Sequence, residues 1–91
     1  MILEWDENKN RINKAKHGIS FEMASTVFED CLSASRLESE DHWQTIGHAE
    51  GGMLLLFVAH TYQEGADIVV RIISARQVTP HERKHYENGT F

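Results

Sequence analysis

An arginine stands inside the apolar run Ile68-Val-Val-Arg71-Ile-Ile-Ser-Ala75, where every neighbour suits a buried strand. A guanidinium cannot shed its charge cheaply, so Arg71 must reach water, a carboxylate or a ligand. Two readings stay open. Arg71 pairs with an acidic neighbour at a sheet edge, or its strand face is open and serves as a binding surface. Arg76 follows at the strand's end, where loops commonly carry function. Arg83 and Tyr86 lie three residues apart and would share a face of a terminal helix, although Arg83 could equally pair with Glu87 one turn on.

Other chemistries find less support. Six histidines raise the question of a metal. His81 and His85 have the i, i+4 spacing that can bind an ion on a helix, but no glutamate-centred catalytic pattern accompanies them. They are read as solvated surface, and no metal is expected. Cys31 stands alone, which excludes an internal disulfide and a thiolate zinc site, and no base lies beside it to activate the thiol. Gly51-Gly52 reads as a turn, because no glycine-rich loop with a lysine leads from strand to helix. No cofactor is expected.

The elements that must position these residues can be read in order. Ile2 to Trp5 is a brief strand. Asp6 caps a helix with Glu7 in its first turn and Lys14, Lys16 and His17 near its end, and Gly18 stops it. Ser20 caps a second helix in which Phe21, Ala24, Val27 and Phe28 recur at helical spacing. Two moderately polar strands, Leu32–Ser39 and His42–Ala49, flank an acidic turn. Glu50-Gly51-Gly52 then turns into Met53–Ala59, a strand apolar on both faces. After a turn at Gln63–Asp67 comes the strand Ile68–Ala75. Thr79-Pro80-His81-Glu82 is a capping box with proline at the first helical position, opening a helix to about Tyr86. This order predicts an α+β fold in which an antiparallel sheet meander packs against N-terminal helices and a short C-terminal helix follows.

With 91 residues, one domain spanning 1–91 is expected. The N-terminus MILEWDENKN lacks a basic region followed by an apolar one, and the longest apolar run, Met53–Ala59, is too short to span a bilayer. A soluble, cytoplasmic protein without membrane contact is the expectation. Fourteen acidic against nine basic residues give a formal charge of -5, which argues at first against a nucleic-acid partner. The charge is unevenly spread. Residues 1–22 balance to zero, 23–67 carry -7 and 68–91 carry +2. Both ends can therefore build a local positive patch, and the local field governs phosphate binding more than net charge does.

Taken together the letters are specific. Arg71-Ile-Ile-Ser-Ala-Arg76-Gln-Val-Thr-Pro-His-Glu82-Arg83-Lys-His-Tyr86-Glu87 resembles the C-terminal signature of the BrnT family, toxins of type II toxin–antitoxin systems with a RelE-like fold. Glu4-Trp5-Asp6, Asn8-Lys9, Lys16-His17-Gly18-Ile19-Ser20-Phe21, Ala24, Val27-Phe28, Asp30 and Ile46-Gly47 agree in order and spacing. The resemblance spans nearly the whole chain. At one place the chain departs: where the family commonly carries an arginine shortly before the Ile-Gly pair, this sequence has His42 and Trp43. Its net acidity is a second departure.

The resemblance implies a ribonuclease that works without a metal and inhibits growth by blocking translation. Such cleavage uses the RNA's own 2′-hydroxyl as nucleophile. The protein must accept that proton, stabilise charge on the phosphoryl oxygens and serve the departing 5′-oxygen. Arginines suit the second task because they stay charged and grip two oxygens at once. The implied catalytic set is Arg76 at the scissile phosphate, with Arg71, Arg83, Tyr86 and His17. Lys16, Arg71 and Arg83 are the implied RNA-binding residues. His17 has a suitable intrinsic pKa, but a helix-end histidine is also favoured by the helix dipole. The implied partners are RNA and a BrnA-like antitoxin, in a larger complex that binds its own promoter DNA through the antitoxin. The alternative is a toxin-like binding module, catalytically weak or inactive, that forms a repressor complex with its antitoxin.

Overall fold

A computed structural model describes all residues, 1–91. The order is β1 (Ile2–Glu4), α1 (Glu7–His17), α2 (Phe21–Ser25), a 3-10 turn (Thr26–Glu29), β2 (Ala34–Ser39), β3 (His42–His48), β4 (Leu55–Glu64), β5 (Ile68–Gln77) and α3 (Pro80–Glu87). The mixed α+β architecture matches the expectation. The sheet order is β1-β5-β4-β3-β2, an antiparallel meander from β2 to β5 with β1 added in parallel beside β5. No helix is long and apolar enough to cross a membrane.

Most boundaries fall where the caps put them. Asp6 accepts the Asn8 and Lys9 amides, Ser20 accepts the Met23 amide, and Thr79 and Glu82 complete the reciprocal capping box. Three expectations need correction. The second helix stops at Ser25 and tightens into the 3-10 turn, where Val27 reaches the core. β2 begins at Ala34, since Leu32 belongs to the preceding turn and is exposed. β4 begins at Leu55 and runs on through Glu64: Gly51 and Gly52 both take positive φ, the Ala49 amide closes onto the Leu54 carbonyl, and Met53 is left at 88% exposure.

Alternation along β4 divides the core between two faces. Leu56 and Val58 meet Ile19, Phe21, Ala24, Val27, Ile72 and Ala75 beneath α1 and α2. Leu55 and Phe57 point the other way, where Ile46, Val78, Tyr86 and Phe91 join them under α3. The sheet thus lies between α1 and α2 on one face and α3 on the other.

Two buried asparagines dock α1. Asn13 donates to the carbonyls of Ile19 (2.9 Å) and Ala75 (2.8 Å) and accepts the Ala75 amide (3.1 Å). Asn10 accepts the Phe21 amide and donates to Glu7 and Glu22. α1 is therefore held largely by paired polar groups, which burial makes worth satisfying. Gly47 of the Ile-Gly pair has a different necessity. A Cβ there would stand 2.8 Å from Val27 Cγ1 and 2.9 Å from the Ser33 Cβ, so only glycine lets the 3-10 turn close onto β3.

β5 is irregular at one point. Ala59 pairs with Ser74 but His60 pairs with Ile72, so β5 carries one extra residue. Arg71 and Arg76 are five apart, an odd interval that would send them to opposite faces of a regular strand. The bulge restores them to one face: Arg71 lies opposite Thr61 and Arg76 opposite Phe57, both on the α3 side of β4.

Candidate functional site

That face gathers the basic residues. Two rows cross the sheet there, Ala34–Ile46–Phe57–Arg76 and Arg36–Gln44–Ala59–Ser74. Arg76 lies over the Phe57 ring at 4.4 Å, Phe57 meets Phe91 edge-on at 6.1 Å, and Arg36 covers Phe91 at 4.2 Å. Two guanidinium groups thus flank two phenyl rings, each ring face favouring its cation. Arg36 also donates to Gln44 (2.7 Å). It is the lone basic residue in the acidic middle of the chain, and the sequence reading passed over it. Only the sheet register brings it across to Arg76.

Arg76 is tightly held. Its two terminal nitrogens donate to the two carboxylate oxygens of Glu82, at 2.8 and 2.9 Å. Glu82 in turn accepts the Thr79 amide through the capping box. Hydrogen bonding from Arg76, more than offsetting desolvation, lowers the Glu82 pKa from 4.5 to about 2, and the same contact raises that of Arg76. Arg71 instead meets Glu4 on β1 through one nitrogen at 2.7 Å, as the edge-pairing reading anticipates, with both side chains 45% exposed. Arg83 is exposed and makes no ion pair, so the alternative pairing with Glu87 is not formed.

Tyr86 faces the sheet from α3. Its hydroxyl donates to the Leu32 carbonyl (3.0 Å), its ring meets His48 at 6.1 Å, and burial raises its pKa. His48 was missed by the sequence reading. Its backbone amide donates to Asp30 Oδ2 at 2.8 Å, and its Nδ1 lies 3.5 Å from the same oxygen. Those contacts, the amide first, hold the Asp30 carboxyl below its ordinary range. The His48 Nε2 is unbonded. Asp30 and Gly47 were legible as letters, but their meeting across 17 residues was not.

Lys16 and His17 are exposed at the end of α1, lining a shallow groove with Ile73 and Ser74 on the outer side of β5. They approach the strand that bears Arg76 but not Tyr86. His60 is buried on the α1 side, with Nδ1–H donating to the Thr61 carbonyl and Nε2 bonded to Thr45, and burial lowers its pKa. Among the acids, Glu38, Glu40, Asp41, Glu64 and Asp67 cluster in or beside the β2–β3 and β4–β5 turns, at the end of the sheet away from α3. This segregation lets an acidic chain keep a basic face. No three histidine, cysteine or acidic side chains converge in a group able to hold a metal ion.

No curated protein sequence matches the chain. Among solved structures, that of the Brucella abortus ribonuclease toxin BrnT superposes with a TM-score of 0.68 at 23% identity, over 87% of this chain and 99% of the toxin. This likeness establishes a shared fold. Residues 5–82 match the family model described as the ribonuclease toxin BrnT of type II toxin–antitoxin systems. That stretch holds Trp5, the Gly47 close approach, the β5 bulge and the Arg76–Glu82 clasp, and with a match this extensive the chain belongs to the BrnT family of type II toxins.

Proposed function

We propose that the chain is a cytoplasmic endoribonuclease that needs no metal, cuts RNA through the substrate's own 2′-hydroxyl and so blocks translation and growth. The observation that carries this reading is that Arg36, Arg71 and Arg76 share one sheet face, with Arg83 unpaired on the helix lying over it. Arginines at that density suit a polyanion gripped by its phosphates. The O2′–P bond forms as the P–O5′ bond breaks, leaving a 2′,3′-cyclic phosphate and a 5′-hydroxyl. Arg76 and Arg83 stabilise the phosphoryl oxygens, and Lys16 and Arg71 hold flanking phosphates. Tyr86 positions the substrate through its half-buried ring. Of the two histidines at issue, His48 is better placed than His17 to take the 2′-hydroxyl proton, because it adjoins Tyr86 and has Asp30 behind it. The 5′-oxygen leaves with a proton from water.

A BrnA-like antitoxin is the partner of this reading. It lays an acidic or neutral segment across Arg71, Arg76 and Arg83, and the complex binds its promoter through the antitoxin's DNA-binding part. Charge reversal at those three arginines should abolish antitoxin affinity, and unchanged affinity would place the antitoxin elsewhere. One observation favours the alternative of an inactive binding module: both terminal nitrogens of Arg76 are already engaged by Glu82.

Induced expression separates the two readings. Growth arrest with RNA carrying cyclic phosphate ends, undiminished by chelators and lost in a folded Arg76→Ala variant or with antitoxin co-expression, supports the enzyme. A folded wild type that binds its antitoxin but neither slows growth nor cuts RNA is the binding module.

A further inference from the structure

On α3, away from the arginine clasp, His81 and His85 stand one turn apart with their Nε2 atoms 3.2 Å from each other and their rings edge to face at 4.6 Å. We propose that this pair is a chelating site for a late first-row divalent ion such as Ni²⁺, Cu²⁺ or Zn²⁺. The bite fits. Two imidazole nitrogens bound to one ion at about 2.0–2.1 Å, at a tetrahedral angle, stand about 3.3 Å apart. Imidazole is the ligand that ions of this class prefer over hard cations such as Mg²⁺.

One ring has a neighbour able to set its tautomer. The Thr90 hydroxyl lies 3.2 Å from the His85 carbonyl, to which it can only donate, and 2.8 Å from His85 Nδ1, so with its proton on the carbonyl it accepts from Nδ1–H. In that arrangement Nδ1 carries the proton and Nε2 presents a bare lone pair toward His81. An acceptor on the far nitrogen, here the Thr90 hydroxyl, orients a metal-binding histidine and fixes its tautomer. The rival is a plain N–H···N hydrogen bond, with His81 as donor and no ion involved.

No third histidine, cysteine or acidic side chain completes the site. The ion would keep open positions for water or for an atom brought by a partner. This inference stands apart from the cleavage reading and can fail without it. Its structural effect would fall on the turn that also carries Glu82, since a chelate across positions i and i+4 pins that turn in helical form.

The test is calorimetric titration of the tag-free chain with Ni²⁺ and Zn²⁺, alongside melting curves. One ion per chain and a melting temperature that rises with ion concentration are expected. Both should vanish in His81→Gln and in His85→Gln, each compared with its own metal-free melt. Thr90→Val, keeping both rings, should weaken binding about tenfold. No uptake by wild type, or undiminished uptake by the double glutamine variant, overturns the proposal in favour of the hydrogen-bonded pair or of another site. Undiminished binding in Thr90→Val overturns the assigned tautomer.

Discussion

The two ends of β5 each hold an arginine on the same face and treat it differently. Near β1, Arg71 meets Glu4 through a single contact between two side chains that are both nearly half exposed. Near α3, Arg76 is clasped at both terminal nitrogens by the well-covered Glu82 and rests on Phe57. A pair of the first kind contributes little to stability, because water competes for both partners and both side chains give up freedom to form it. A pair of the second kind fixes a guanidinium in position and orientation. Arg71 is half exposed and held at one nitrogen, whereas Arg76 is aimed but already occupied. In the proposed cleavage the two would divide the work, Arg71 capturing the RNA and Arg76 receiving a phosphate that displaces or shares Glu82.

Four measurements probe this contrast and the strand that carries it. Asn13→Ala should cost about 3 kcal/mol, because the Ala75 amide and carbonyl beside Arg76, and the Ile19 carbonyl, lose their partner inside the protein. The urea midpoint reads it, and a loss under about 1 kcal/mol would mean that water enters there freely. Arg76→Ala should lower RNA cleavage about a hundredfold, the usual scale for removing a donor aimed at developing charge, against less than tenfold for Arg71→Ala. Single-turnover rates on one oligonucleotide decide it, and equal losses would end the distinction.

Glu82→Gln comes third. The folded pKa of Glu82, about 2, lies below its ordinary 4.5, so the charged form stabilises the fold above about pH 4.5 and that contribution disappears as pH falls toward 2. With solvent reaching Arg76, the advantage of wild type over Glu82→Gln should be about 1–2 kcal/mol at neutral pH and close to nothing near pH 2. An advantage independent of pH would trace to packing. Smallest of all, Glu4→Ala should change stability by less than about 0.5 kcal/mol, with added salt erasing even that.

Local signals were legible in the sequence and distant ones were not. Asp6, Ser20 and the Thr79–Glu82 box placed three helix starts, since a cap and its amides lie within three residues. The Arg71 puzzle could be posed from composition, and one of its two readings named the acidic edge neighbour that Glu4 supplies. The bulge could not be read, because Ile73 looks like any other strand residue until β4 is paired beside it. Arg36 over Phe91 and His48 beside Asp30 depend on contacts between elements far apart in the chain. Asn10 and Asn13 belong to a helix whose polar sequence reads as solvated throughout, yet both are buried. Met53 looked like strand because periodicity carries no information about where a glycine turn releases the chain.

Asn13 has a further consequence. β1 covers β5 only at Val69–Arg71, which leaves the backbone beyond it without a strand on that side. A bare rim of this kind invites strand addition by another molecule and, at high concentration, fibril growth. By answering both the amide and the carbonyl of Ala75, one side-chain amide imitates a neighbouring strand that cannot be extended. At Ala75, therefore, the rim offers an incoming strand neither donor nor acceptor.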